Sequence, residues 1–214
     1  MEFVIAVDGP AASGKGTVAG RLAELYRLPY LDTGLLYRAV GVEADGLGGG
    51  EAAAIAAARA LKAETLEDPR LRTREAGELA SQIAAIPEVR AALLDFQQRF
   101  AAKPGGSVID GRDIGTVIAP FAPAKLFVTA ATEVRAERRW KQLVGQGEAV
   151  AYADVLEDIR RRDERDSGRA AAPLVQAQDA VLLDTSNLSI SQAVDAARRV
   201  VEAARGRWET SRPG

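Results

Sequence analysis

Two spacings of apolar residues alternate along the chain. Short runs without helical spacing predict strands at Phe3-Val4-Ile5-Ala6-Val7, Tyr30-Leu31, Val108-Ile109, Lys125-Leu126-Phe127-Val128 and Val181-Leu182-Leu183. Between them, apolar positions three to four apart predict helices. Val18, Leu22 and Leu25 mark one over 17–26 that Pro29 ends, and Leu36, Val40 and Glu43 lie on one side of another that Asp32 is placed to cap. Thr73-Arg74-Glu75-Ala76 opens a helix through Leu79 and Ile83, and Pro87 opens the next through Val89, Leu93, Leu94 and Phe96. Further helices are expected over 133–144 and over the highly charged 151–165, and Ile190, Val194, Ala197 and Val201 line a closing one. The tail from Gly206, with Pro213 near its end, is expected to fray. Strands separated by helices call for an α/β fold with a five-stranded parallel sheet covered on both faces. Ligands of such sheets gather at the C-terminal ends of the strands, which directs attention to residues 9–17, 32–38, 110–113 and 184–187.

The pattern weakens between Gly46 and Arg72. A glycine-rich break at 46–50 precedes an alanine tract over 51–63 with Ile55 and Leu61 as its large apolar anchors, and 64–72 carry little signal. At 214 residues the chain is long enough for one α/β domain with a small appendage. It has no cysteine and no histidine, which removes disulfides, thiolate nucleophiles, imidazole bases and histidine-bound metals. Any chemistry must use carboxylates, lysine, arginine, hydroxyls, backbone and a bound ion, a set that suits phosphoryl transfer. A net charge of −2 argues against nucleic acid as a partner. No apolar run approaches the ~20 residues of a membrane span, and the chain enters a strand at once. A cytoplasmic protein without a membrane or nucleic-acid partner is expected.

The most informative stretch follows the first strand: Gly9, Pro10, Ala11, Ala12, Ser13, Gly14, Lys15, Gly16 and Thr17. Glycines let a loop curl so that successive N–H groups point inward, and the following helix adds the free N–H groups of its first turn. That concavity suits a polyphosphate whose outer oxygens Lys15 can reach. Many switch GTPases place Ser or Thr directly after the lysine; here Gly16 intervenes and the hydroxyl comes at Thr17, as is common in nucleoside monophosphate kinases.

Other loops offer matching chemistry. Asp110, ending an apolar strand, is placed like the acid that positions a magnesium shell, and Gly111, Arg112 and Asp113 follow it. Arg112 can neutralise phosphate and Asp113 can accept from a sugar hydroxyl or a base amino group. Thr33, Tyr37 and Arg38 open the helix after the second strand, a natural place for a second phosphate. The stretch Arg160 to Arg169 mixes both signs and reads as a solvated helix end, but Gly168 and the alanines after it permit a hinged flap that would exclude water. Arg135, Arg138 and Arg139 are weaker contributors.

Together IAVDGPAASGKGT, YLDTGLLYR, RTREAGELASQIAAIPEVR, VIDGRDIGTVIAPFAPAKLFV, RRDERDSGRAAAPL and VLLDTSNLSISQAV resemble the bacterial-type cytidylate kinases of the nucleoside monophosphate kinase group. The resemblance implies that fold, with a core of 1–38 and 104–214, a lid at about 145–174 and a helical acceptor-binding insert at 39–103. It implies transfer of the ATP γ-phosphate to CMP or dCMP with Mg2+ as cofactor, held by Thr17 or Asp110 through water, in a monomer. Lys15 and its loop would hold ATP, while Thr33, Arg38 and Arg112 face the acceptor phosphate and Tyr37, Asp110 and Gly111 belong to the same acceptor site. Ser81, Arg90 and Asp113 would read cytosine, and Arg162, Asp166 and Arg169 match the lid pattern that contacts ribose and phosphates. Lys15, Arg112 and Arg162 are the expected catalytic set. Residues 45–72 depart from the resemblance, since many members carry a small β-sheet there and no strand pattern is present. A kinase for UMP, AMP or shikimate would keep the loop and lid, and a regulatory switch should show a guanine-reading Asn-Lys-x-Asp stretch, which this sequence lacks.

Overall fold

The computed structural model describes residues 2–211, apart from the side chain of Ala63. Its centre is a five-stranded sheet in the order β2 (Tyr30–Asp32), β3 (Ser107–Gly111), β1 (Val4–Asp8), β4 (Ala124–Thr129) and β5 (Val181–Asp184), with every neighbouring pair parallel. β1 and β3 are buried along their whole length, as strands covered on both faces must be. Side chains alternate across the sheet with period two. Val4, Ala6 and Ile109 enter a core with α2 (Thr33–Gly46), α3 (Gly50–Ala60), α4 (Arg74–Ile83) and α5 (Pro87–Ala101). Ile5, Val7, Val108, Leu126 and Val128 enter the opposite core with α1 (Lys15–Tyr26) and α8 (Ile190–Thr210). The register that pairs Asp8 with Gly111 and Asp32 with Asp110 brings the strand tips to one edge.

Local chemistry sets the boundaries. Asp32 caps α2 by accepting from Gly34 N–H at 2.8 Å, Thr73 caps α4 by accepting from Ala76 N–H at 3.1 Å, and Pro87 occupies the first turn of α5. Two helices project from the strand-tip edge: α6 (Thr132–Gly145) and α7 (Tyr152–Gly168), the latter continuing three residues past the predicted end to the glycine.

The expected cores differ in detail. The inner stripe of α2 is Leu36, Tyr37, Val40 and Ala44, with Glu43 exposed. In α3 the alanines Ala54, Ala57 and Ala58 carry the packing, and Ile55 and Leu61 are only partly buried. Small side chains let α3 sit close to α2, so the contact has no large anchor. The region of weak signal forms two 3-10 turns, Ala63–Glu67 and Pro69–Arg72, with Leu71 fully buried. α8 turns Ala193, Ala197, Val201 and Ala204 inward and leaves Ile190 66% exposed. The helix continues through 206–210, where fraying was expected, because Trp208 packs edge-on against Phe3 with centroids 5.2 Å apart. Pro213 lies outside the described residues.

Candidate active site

The loop between β1 and α1 is locked in shape. A Cβ on Gly9 would stand 2.0 Å from Val128 O, so only glycine fits there. Ala12 and Gly14 adopt positive φ, 58° and 90°, which turns successive N–H groups into one concavity. No side chain caps α1 and no acid lies in its first turn, leaving its N–H groups and partial positive charge for a ligand. The buried Ser13 hydroxyl likewise has no protein partner.

This loop forms one wall of a cavity of about 460 Å³ whose lining includes Lys15, Arg38, Arg72, Arg112, Arg139 and Arg162 against two carboxylates, Asp32 and Asp110. The electrostatics reflect that crowding. Burial and the nearby Arg112 push the Lys15 ammonium below its ordinary value, with Asp110 and Asp32 pulling the other way. Burial and Asp32 push the Asp110 carboxyl up, although Lys15 opposes them and Tyr30 donates its hydroxyl to Asp110 at 2.8 Å. Arg162 is pushed down by burial and Arg112. A buried excess of positive charge is costly unless anions enter, so the cavity suits a polyphosphate.

A second, smaller pocket of about 40 Å³ lies beside it, lined by Thr33, Tyr37, Ser81, Arg90, Gly111, Arg112, Asp113, Arg162, Asp166 and Arg169 among others. These residues come from α2, α4, α5, the end of β3 and the loop after it, and α7 and the residue after it. The pocket is closed by its own side chains: Arg112 Nε donates to Asp166 at 2.8 Å, and Arg90 pairs with Asp113 and lies over the Tyr37 ring, 5.5 Å from its centroid. Polar capacity remains inside, since the Ser81 hydroxyl is buried without a hydrogen-bond partner and the Nε of Arg162 makes only a long ion-pair contact, 3.9 Å, with Asp166. Arg112 and Arg162 line both cavities and form the partition between them.

Sequence-predicted residues thus divide between the two spaces. Thr33 lines the smaller pocket and donates its hydroxyl to Asp110 O at 2.8 Å. Arg38 faces the larger cavity and is tied down by donating to Leu71 O at 2.8 Å and Thr73 O at 3.1 Å. Asp110 lies on the larger cavity rather than in the smaller pocket.

The family model described as cytidylate kinase matches residues 5–46 and 51–203. The chain belongs to the cytidylate kinase family. A cytidylate kinase of Caulobacter vibrioides is 70% identical over 210 residues, 97% of this chain and 99% of that protein. Those of Caulobacter sp. strain K31 and Xanthobacter autotrophicus are 66% and 68% identical, covering 97% and 95% of this chain and 98% and 99% of theirs. Such end-to-end matches mean that these cytidylate kinases share the short 45–72 segment. Among solved structures, that of an uncharacterized protein from Eubacterium ventriosum has a TM-score of 0.57 at 16% identity, over 94% of this chain and 99% of that one, a likeness of fold alone.

Two features of this chain were not legible in its sequence. A cavity of about 470 Å³ on the far side of the loop is bounded by Ala12, Val18, Arg138, Thr185, Leu188 and Ala193 among others. Arg138 there donates to Thr185 O at 2.6 Å and to its hydroxyl at 2.9 Å. The position of 184–187 after the last strand was the available signal; the apolar wall from α8 gave none. The second feature is Asp8, buried at the end of β1.

The donor set for a cation is sparse. Among the described residues no group of three or more acidic, histidine or cysteine side chains could hold a metal. The mutual repulsion of Asp32 and Asp110, beside the exposed Thr17, still fits a hard divalent cation that takes its other ligands from water and phosphate. No helix among the described residues is long and apolar enough to cross a membrane.

Proposed function

We propose that the larger cavity holds the phosphates of ATP, the smaller pocket holds CMP or dCMP, and the γ-phosphoryl group crosses between them at Arg112 and Arg162. The observation that carries this reading is that those two guanidinium groups line both spaces. Residues 9–17 embrace the triphosphate and Lys15 neutralises its outer oxygens. The cavity walled by Arg138 and Leu188 takes the adenine. Thr33, Arg38 and Arg112 receive the acceptor phosphate. Ser81, Arg90 and Asp113 supply the mixed donors and acceptors that a cytosine edge requires, Tyr37 packs beneath Arg90, and Asp166 and Arg169 meet the ribose.

An acceptor phosphate oxygen forms the new bond to the γ-phosphorus while the bond from that phosphorus to the β–γ bridging oxygen breaks, leaving ADP. The attacking oxygen is already anionic, so no histidine or other strong base is needed. Lys15, Arg112 and Arg162 stabilise the charge shared among the oxygens in transit. Mg2+ bound with ATP, held through water by Thr17 or Asp110, would supply further charge neutralisation to the phosphates. Residues 145–174 act as the lid and 39–103 as the acceptor insert, because the smaller pocket is too tight for a nucleotide until the pairs that close it part. One chain supplies every group, so a monomer acting in the cytoplasm suffices.

The test is turnover of CMP, dCMP, UMP and AMP with ATP and Mg2+, followed by coupled detection of ADP. CMP and dCMP should be used fastest. Rapid turnover of AMP with none of CMP would overturn the assignment.

A further inference from the structure

Asp113 begins the short π-helical turn Ile114–Ile118, the position at which an aspartate ordinarily accepts hydrogen bonds from the first free N–H groups. It makes no such bond: its carboxylate faces Arg90, both side chains being more than nine-tenths buried. The turn is capped from elsewhere. Asp8 Oδ1 accepts from Ile114 N–H at 2.8 Å and Asp8 Oδ2 from Gly115 N–H at 2.7 Å. We infer that Asp8 is a positioning residue for acceptor recognition: by capping this turn from the neighbouring strand, it frees the Asp113 carboxylate to face Arg90 in the acceptor pocket.

The fit around Asp8 leaves little freedom. β1 and β3 are neighbours with Asp8 opposite Gly111, and the next residue, Gly9, is fixed against Val128 O. A Cβ on Gly115 would lie 3.3 Å from Asp8 Oδ2 and 3.2 Å from Lys125 Cδ, so the carboxylate is packed against the turn as well as bonded to it. Two oxygens matched to two N–H groups are a requirement asparagine cannot meet, because its amide would present a donor to a donor. Without that cap two buried N–H groups lose their partners, and the adjacent carboxylate able to serve them is that of Asp113. Arg90 would then lose the group that orients it. Asp8 therefore joins the two substrate sites, its backbone leading into the ATP loop and its side chain setting the acceptor loop. This inference rests on the acceptor roles proposed above for Arg90 and Asp113.

The experiment compares wild type, Asp8→Asn, Asp113→Asn and the double variant for CMP KM, ATP KM, kcat and urea unfolding. A hydrogen bond to a charged group corresponds to about a tenfold to hundredfold change, so Asp8→Asn should raise CMP KM by that factor and leave ATP KM within about threefold. The double variant should be no worse toward CMP than Asp113→Asn alone, since Asp8 acts through Asp113. Additive losses, or an equal rise in ATP KM, would show a general packing role and overturn the inference. If Asp8→Asn does not fold, Gly115→Ala, which displaces the carboxylate by a few tenths of an ångström, is measured in the same cycle with the same criteria. Wild-type protein that does not use CMP would instead overturn the functional reading, and this inference with it.

Discussion

Replacing Lys15 with methionine keeps most of the unbranched side chain, one heavy atom shorter, and removes its charge, and activity and stability should then move in opposite directions. In the folded chain the Lys15 ammonium is held below its ordinary value by burial and by Arg112, so the charged form costs free energy in the unliganded protein. A value lowered from 10.5 to about 8 bounds that cost at roughly 3 kcal/mol at 1.36 kcal/mol per pKa unit. Removing Lys15 also deprives Asp110 of the cation that opposes its upward shift, which offsets part of the gain. The variant should therefore be as stable as wild type or up to about 2 kcal/mol more stable in urea unfolding without nucleotide or divalent cation. Its kcat for CMP phosphorylation should fall by about 10³, the effect of deleting one preorganised donor at developing charge. The pH dependence gives a second check. A lysine with a depressed folded value binds fewer protons folded than unfolded, so wild-type stability should rise as pH increases from about 8 to 10.5, and the variant should lack that rise. Loss of more than about 2 kcal/mol of stability, or a kcat within tenfold of wild type, would refute the reasoning.

Three further outcomes follow from other contacts. Gly9→Ala places a Cβ 2.0 Å from Val128 O and should lower stability by about 3 kcal/mol, read as an earlier urea midpoint. Ser81→Ala removes a buried hydroxyl with no partner, so stability should hold or rise by about 1 kcal/mol while CMP KM increases about tenfold and ATP KM stays put. Arg74 pairs with Asp158, and Glu78 lies 2.9 Å from Arg165, so α4 is tied to α7 by exposed or half-exposed ion pairs. Arg74→Ala with Glu78→Ala should cost about 1 kcal/mol or less in urea unfolding, and that cost should shrink from low to physiological ionic strength.

What the sequence revealed follows from how each signal is encoded. The inner strands β1 and β3 were legible because strands buried on both faces need continuous apolar runs, and the phosphate loop because its glycines answer backbone requirements that no other residue meets. The inner faces of α3 and α8 were obscured by alanine, which packs well at close helix contacts yet carries no hydrophobic signature. Leu71 was invisible because a single apolar residue in a 3-10 turn has no period, though its burial and its carbonyl bond to Arg38 fix that turn beside the cleft. Thr33, Ser81, Arg90 and Asp113 reach one pocket from separate elements, a convergence that spacing along the chain cannot express. Asp8 was missed for the same reason, since its partners lie more than a hundred residues away.

If the two spaces hold the two nucleotides as proposed, their unequal sizes bear on how ATP would be kept from premature hydrolysis. With about 40 Å³ of free space, the smaller pocket is filled by the Arg112–Asp166 and Arg90–Asp113 pairs, each a cation neutralised by a carboxylate. Opening it without a ligand would leave buried charges unpaired, whereas an arriving phosphate dianion can take over Arg112 as Asp166 turns to other partners. The larger cavity is less fully neutralised: of its six basic side chains Arg112 and Arg162 lie against Asp166, and the remaining four face only Asp32 and Asp110 from its lining, so it favours anions. Arg162 belongs to both spaces and rides on α7, which ion pairs hold to α4. On the assignment proposed above, closure of α7 over both nucleotides would place anions on both sides of the partition, and closure over ATP alone would leave the other side with its protein carboxylates rather than with a water positioned for attack.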